Sequence, residues 1–150
     1  MGLGCLLVVC KMSRIDHIGI ATKNIDEASK FWNEIGLESG DDHINLEQDV
    51  KIRMFYGDDG NGNNTHSKVE LIEALSDNSP IAKFIAKKGQ GIQQLAITVN
   101  DIDDLIIKLI NSGIRMINEK STHGAGGHKI AFVHPESTGG VLVELVERLE

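Results

Sequence analysis

The sequence predicts an α+β fold in which two tandem βαβββ modules pair into one cupped mixed sheet. The main observation is an internal repeat, because residues 14–37 align without a gap on residues 91–114. Each copy has the pattern of a strand, an Asn/Asp turn, an amphipathic helix and a terminal glycine. A second pair of similar strands, KVEL at 68–71 and LVEL at 142–145, follows at a nearly equal distance. The chain therefore repeats one strand–helix–three-strand unit.

Length and patterning divide the chain into an N-terminal extension and one domain. Its 150 residues suffice for one well-packed core or for two closely packed halves. We predict an extension at residues 1–13 and a single domain at 14–150. Within that domain, module one spans 14–75, a helical linker spans 76–90, and module two spans 91–147.

Composition narrows the class of protein. An apolar content of 41% with 25% charged residues is ordinary for a soluble globular protein. The formal charge of -7 argues against nucleic acid as a partner, because phosphate binding requires a basic face. The apolar run at residues 6–9 is far too short to span a bilayer, so we expect no membrane insertion. The only two cysteines, Cys5 and Cys10, form no disulfide framework, which favours a reducing cytoplasm.

The first module carries clear signals for its elements. Alternation at residues 15–22 predicts a strand with His17 on one face and Asp16 on the other. Asn24 caps a helix that Gly36 ends. The helical spacing of apolar residues predicts a buried stripe of Ala28, Phe31, Trp32 and Ile35. Strands are expected at 37–45, 49–56 and 69–74, with a polar hairpin loop at 57–65.

The linker and the second module follow the same pattern. Pro80 marks the first turn of a linker helix whose predicted buried stripe is Ile81, Phe84 and Ile85. In module two we expect a strand at 92–99, a helix at 102–110 closed by Gly113, and strands at 114–118, 129–134 and 141–146. A glycine-rich loop lies between the second and third of these strands, at residues 121–128.

The repeat also aligns polar side chains that can bind a metal. His17 falls opposite Gln94, and the strand glutamates Glu70 and Glu144 hold matched places. A carboxylate in an apolar strand is costly if it is buried unpaired, and one shared cation would offset that cost for both. This mixed nitrogen and oxygen set suits a divalent ion such as Co, Mn, Ni, Mg or Zn, with positions open for substrate.

Simpler interpretations of these residues stay open at this level. A strand histidine is often a core residue, and a strand glutamate often faces solvent. Glu47, between the second and third strands, is either a functional carboxylate or a solvated turn residue. The glycines of 124–127 either donate backbone N–H groups to an anionic ligand or form a plain hairpin.

Several motifs resemble those of a known enzyme family. They are IDHIGIAT, LEQDV, KVELIEALSDNSPIAKFIAKKGQGI, ITVNDID and GAGGHKIAFVHPESTGGVLVELVE, which together span most of residues 14–147. The paired modules resemble the vicinal oxygen chelate, or glyoxalase-like, superfamily. The SPIAKF and HPxSTGGVLxEL signatures are similar to those of its methylmalonyl-CoA epimerase branch.

The resemblance implies roles for individual residues. The implied metal ligands are His17, Glu70, Gln94 and Glu144, with cobalt as the favoured metal. The implied proton-transferring acids are Glu47 and Glu144, and the implied substrate contacts are Gly126, Gly127 and His134. Two positions depart from the family pattern, since Gln93-Gln94 replaces a His-His pair and Glu136 replaces a common lysine.

The implied reaction interconverts (2R)- and (2S)-methylmalonyl-CoA by proton transfer at C2 through a metal-stabilised enolate, in a cytoplasmic homodimer. Two other functions on the same scaffold stay open. One is a glyoxalase-type isomerase of thiol hemithioacetals, which would use the same metal. The other is a protein that binds a small molecule without catalysis, and loss of the metal at Gln94 would favour it.

Overall fold

The computed structural model of the chain describes residues 13–149. Within that range nine strands form one open mixed sheet and three helices pack on it, which confirms the expected α+β fold. The strands are β1 (Arg14–Thr22), β2 (Glu38–Ser39), β3 (His43–Asn45), β4 (Val50–Asp58), β5 (Asn64–Ala74), β6 (Gly91–Thr98), β7 (Thr122–His123), β8 (Lys129–Val133) and β9 (Val143–Glu147). The helices are α1 (Ile25–Glu34), α2 (Pro80–Lys88) and α3 (Ile102–Asn111). The proposed N-terminal extension lies outside the described residues, apart from Ser13.

The sheet reflects the repeat in its strand order. Strands β1 and β6, the first of each predicted module, lie side by side and antiparallel at its centre. Each then pairs in parallel with the last strand of its own half, β1 with β5 and β6 with β9. The remaining strands add antiparallel pairs outward, through β4 on one side and β8 on the other. The sheet therefore has an approximate two-fold arrangement about β1 and β6.

The helices begin and end where the local sequence predicts. The Asn24 side chain accepts a hydrogen bond from the backbone N–H of Glu27, which caps α1. Gly36 and Gly113 follow α1 and α3 with positive φ angles of 92° and 82°, a conformation that glycine adopts without strain. None of the helices in the described part of the chain combines the length and the apolar character needed to cross a bilayer.

Helix α1 buries a different stripe from the one predicted. Ile25 is fully buried, and Ala28 and Trp32 pack against its cluster beneath the sheet. Phe31 and Ile35, however, are 60% and 56% exposed. The buried face of α1 is therefore the one that carries Ile25, Ala28 and Trp32. Phe31 and Ile35 lie to the side of that face and point toward solvent.

Two predicted strands differ in the structure. The strand expected at 37–45 is divided into β2 and β3, and the one expected at 114–118 is not a regular strand. In the segment 114–118, only Met116 forms an isolated bridge, with Val133 of β8. The backbone N–H of Phe132 donates to the side-chain oxygen of Asn118 instead of to a backbone carbonyl, which interrupts the ladder. Ile117 is consequently half exposed rather than packed.

Helix α3 offers a matched test of the core, because Ile106 is 1% exposed and its neighbour Ile107 is 58% exposed. Ile106→Ala removes buried methyl groups from the cluster with Val99 and Leu145, and we expect it to lower the free energy of unfolding by about 2–5 kcal/mol. Ile107→Ala should change it by less than about 0.5 kcal/mol, because alanine is at least as good a helix former. Equilibrium denaturation of both variants measures the difference. Equal losses would contradict the assigned burial.

Candidate active site and metal centre

Two rows of side chains cross the middle of the sheet, and each has a small residue between two polar ones. From β5 to β6 the first row is Glu70, Gly19 and Gln94. From β9 to β1 the second row is Glu144, Ala96 and His17. The four polar side chains are only 4–7% exposed. The structure therefore brings together all four residues expected to bind a metal, two from each half of the chain.

Gly19 makes room for one of these four side chains. A Cβ atom placed on Gly19 would stand 2.5 Å from Cγ of Gln94 and 3.2 Å from Cδ1 of Ile72. Real side chains do not approach so closely, so a larger residue would push the Gln94 amide out of the row. Ala96 holds the equivalent place in the second row and is fully buried.

A β-bulge lies directly beside the site on each central strand. Ile15 pairs with Ile97 and His17 pairs with Ala96, so Asp16 is an extra residue on β1. On β6 the register shifts again, and Gln93 is the extra residue. A bulge changes the direction of side chains, so Asp16 and Gln93 do not simply point to the face opposite that of His17 and Gln94.

The bulge brings Asp16 into contact with His17. The Asp16 carboxylate is 1% exposed and lies 2.7 Å from Nδ1 of His17. Arg148, Lys68 and Thr98 also donate hydrogen bonds to it. Burial alone would raise the pKa of Asp16, but the hydrogen bonds from His17 and Arg148 and the charges of Arg148 and Lys68 hold it far below its usual range. Asp16 is therefore an anion inside the protein.

The two row glutamates are a destabilising pair. Burial and the charge of Glu70 together raise the pKa of Glu144 to about 8, against the opposing effects of His17 and of the Gln94 hydrogen bond. Burial likewise raises the pKa of Glu70, against the opposing charge of His17. Burial lowers the pKa of His17, but the Asp16 hydrogen bond and the two glutamates outweigh it and raise the pKa overall. A cation close to the two glutamates would stabilise their ionised forms, which burial otherwise disfavours.

Polar atoms in the rows are incompletely paired. Nε2 of His17 lies 3.3 Å from Oε2 of Glu70, but its orientation makes no hydrogen bond, and the atom is buried without a partner. The Gln94 amide nitrogen donates to Oε2 of Glu144 at 2.5 Å. Oε1 of Gln93 is also buried and unpaired. Unsatisfied buried groups of this kind point to a missing partner.

A divalent cation fits this donor set. The set offers one imidazole nitrogen with an unpaired position, two buried carboxylates and one amide, and such groups bind hard or borderline divalent metals. As the side chains are placed, no three or more histidine, cysteine, aspartate or glutamate residues among residues 13–149 are grouped so that they could hold a metal ion. The fit is therefore one of donor chemistry, and an amide oxygen from Gln94 would add to His17, Glu70 and Glu144 as a fourth donor.

Two cavities meet at the rows. The small cavity, of about 120 Å³, is lined by both polar and apolar side chains and is bordered by His17, Glu144 and Arg148. The large cavity, of about 510 Å³, is mainly apolar and is bordered by Gln94 and by Glu47 at the turn before β4. Glu70 borders both cavities. Glu47 is exposed and faces the large cavity, so a ligand there can lie between Glu47 and the rows.

The other implied substrate contacts lie at different places. Gly126 borders the small cavity, at a turn where its φ is 70°. The backbone N–H of Gly127 donates to the carbonyl oxygen of Gly124 within the same turn. His134 borders neither cavity, and its Nδ1 accepts a hydrogen bond from the backbone N–H of Glu136. Glu136 itself pairs with Arg115 at the surface.

Sequence reasoning misses Asp16 and Arg148. Alternation predicts that Asp16 points away from His17, and this is wrong because a bulge breaks the alternation at that residue. The repeat does carry a signal, since Asp16 aligns with Gln93 and each precedes a row residue. Arg148 lies beyond the last strand, where pattern alone gives it no role.

Comparison with known proteins identifies a family and several similar chains. The family model of the Glyoxalase/Bleomycin resistance protein/Dioxygenase superfamily matches residues 16–132. Mitochondrial methylmalonyl-CoA epimerase of Bos taurus is 32% identical over 139 residues, which cover 91% of this chain and 75% of that protein. The crystal structure of a hypothetical protein from Bacillus halodurans C-125 is similar with a TM-score of 0.85 at 39% identity, covering 93% of this chain and 97% of that one. A structure of methylmalonyl-CoA epimerase in complex with methylmalonyl-CoA and NH4+ has a TM-score of 0.81 at 33% identity, covering 91% and 94%.

The role of Gly19 generates a test of the first row. In Gly19→Ala the new methyl group displaces the Gln94 side chain, and we expect the affinity for Co(II) to fall roughly 10-fold. Titration calorimetry on the folded variant measures this. Gly40→Ala is the matched control, because its Cβ would meet no atom closer than 3.4 Å. An unchanged affinity in Gly19→Ala would show that Gln94 is not a ligand.

Proposed function

This chain belongs to the Glyoxalase/Bleomycin resistance protein/Dioxygenase superfamily, in its methylmalonyl-CoA epimerase branch, and on that premise we propose its reaction. The enzyme interconverts (2R)- and (2S)-methylmalonyl-CoA by moving a proton at C2. The observation that carries this proposal is the pair of rows: Glu70 borders the large cavity together with Glu47, and Glu144 lies in the neighbouring row and borders the small cavity.

The substrate chemistry requires two acid/base groups. The C2 proton of methylmalonyl-CoA lies between a thioester and a carboxylate, and its removal leaves a planar enolate. Inversion follows when one group removes the proton from one face and another group returns a proton to the opposite face. We assign these roles to Glu144, within the rows, and to Glu47, at the turn before β4.

The environments of the two glutamates suit two different roles. Without a cation, burial and the neighbouring Glu70 raise the pKa of Glu144 to about 8, and a bound cation would favour the ionised form that can accept the C2 proton. Glu47 is exposed at the mouth of the large cavity and can exchange its proton with solvent. The apolar side chains that line the same cavity, including Ile72, Phe132 and Leu142, exclude water around C2.

His17, Glu70, Gln94 and Glu144 would hold a divalent cation. A bound cation supplies positive charge that stabilises the negative charge developing on the substrate oxygens. Cobalt is our first choice, with Mn, Ni, Mg and Zn as the other candidates for an imidazole, carboxylate and amide set. We further propose a homodimer, and a cytoplasmic location in keeping with the two cysteines of the sequence.

Proton NMR of methylmalonyl-CoA in D2O tests the proposal directly. We expect loss of the C2 proton signal at a rate far above the spontaneous rate in the presence of Co(II), and a return to the spontaneous rate after chelation. The same experiment started from each epimer, with a chiral readout, follows inversion alongside exchange. Spontaneous rates with all five metals would refute the epimerase assignment.

Glutamine variants separate the two acid/base groups. Glu47→Gln and Glu144→Gln should each lower inversion at least about 100-fold from either epimer. In each variant, one epimer should still exchange its C2 proton, because the remaining glutamate faces it. Glu38→Gln, on the exposed edge strand β2, is the control and should retain full activity. Near-wild-type inversion by Glu47→Gln would remove Glu47 from the mechanism.

A further inference from the structure

We propose that Asp16 is a positioning residue that fixes the tautomer of His17 and so aims its unprotonated Nε2 into the rows. The inference rests on the proposed function, since it treats His17 as a metal ligand. It concerns one interaction, the contact of 2.7 Å between Oδ2 of Asp16 and Nδ1 of His17.

The hydrogen-bond pattern around Asp16 determines the direction of that contact. Oδ1 accepts from Thr98 at 2.9 Å, from Lys68 at 3.3 Å and from Nε of Arg148 at 2.7 Å. Oδ2 accepts from Nη2 of Arg148 at 2.5 Å. A carboxylate surrounded by two cations is ionised and can only accept, so Nδ1 of His17 has to donate. In the neutral ring, Nε2 then carries a lone pair and no proton.

The other ring nitrogen of His17, Nε2, lies where its lone pair could bind a cation. Nε2 of His17 is buried, lacks a hydrogen-bond partner and lies 3.3 Å from Oε2 of Glu70. A proton on Nε2 would block that position for a cation. Carboxylates that orient a ligand histidine through its other nitrogen are a common feature of metal sites.

The arrangement depends on the bulge in β1. Without the extra residue, Asp16 and His17 would point to opposite faces of the strand, and their side chains would not meet. The second module has an equivalent bulge at Gln93, but its row residue is Gln94, which has no tautomers. Control of a tautomer by a neighbouring carboxylate is therefore confined to the half of the site that contains His17.

Asp16→Asn is the sharpest variant because it preserves shape. Thr98, Lys68 and Nε of Arg148 donate at the Oδ1 position, against Nη2 of Arg148 alone at Oδ2, so the asparagine oxygen takes the Oδ1 position. Its NH2 group then takes the place of Oδ2, loses the bond from Nη2 of Arg148 and donates to Nδ1 of His17. We expect the proton to move to Nε2 and the affinity for Co(II) to fall at least roughly 10-fold. Thr98→Val is the matched control, since it removes one hydrogen bond to Asp16 and leaves Oδ2 of Asp16 in place as the acceptor for Nδ1 of His17.

Two readouts test the inference. Long-range 1H–15N NMR of the metal-free protein, with His17 assigned by comparison with His17→Ala, reports which nitrogen is protonated in the neutral ring. Calorimetry with Co(II) alone reports affinity. We expect Nδ1–H in the wild type and in Thr98→Val, and Nε2–H with weakened cobalt binding in Asp16→Asn.

The results that would overturn the role of Asp16 differ from those that would refute the epimerase reaction. A proton on Nε2 in the wild-type protein would overturn the inference even if Asp16→Asn did not fold. An unchanged tautomer and cobalt affinity in folded Asp16→Asn would also overturn it. Because the NMR readout needs neither metal nor substrate, a protein that failed to exchange the C2 proton could still confirm or refute the role of Asp16.

Discussion

The constraint on which this structure depends is the burial of two carboxylates, Glu70 and Glu144, within reach of one another. Burial raises the pKa of both, the charge of Glu70 adds to the shift of Glu144, and the opposing charge of His17 does not cancel either shift. Such a pair is costly unless a cation joins it. The surrounding sheet makes this arrangement possible. Gly19 and Ala96 are small and leave space between the polar side chains, and the approximate two-fold symmetry of the sheet places two polar groups from each half of the chain in the site. The fold therefore creates the buried pair of carboxylates, and the proposed chemistry depends on the cation that would stabilise that pair.

Much of the fold could be predicted from the sequence because the repeat is strong. Helices α1 and α3 occupy equivalent positions in the two copies, and the correspondence of His17 with Gln94 follows from the same alignment. That of Glu70 with Glu144 follows from the second pair of similar strands. The features that the sequence pattern does not predict are local details of single elements. The exposure of Phe31 depends on which row of α1 meets the sheet, and the irregular segment around Met116 depends on an Asn118 side chain that takes a backbone donor.

The site itself was only partly predictable, for a physical reason. Strand alternation has a period of two, and one extra residue reverses it, so neither bulge is visible to a pattern argument. Asp16 consequently looks like a residue of the opposite face, although it contacts His17. Arg148, which holds Asp16, is 132 positions away in the sequence. The two modules thus share a backbone plan but differ in chemistry, with Asp16-His17 in one and Gln93-Gln94 in the other.

The most direct measurement of the central claim is an anomalous difference map from crystals of the protein soaked with Co(II). We expect one strong peak between the rows, with ligand atoms from His17, Glu70, Gln94 and Glu144 and with the Gln94 oxygen turned toward the ion. Such a map would show that a single cation joins the two buried carboxylates. No peak at saturating cobalt, or a peak bound by only one of the two rows, would contradict the account.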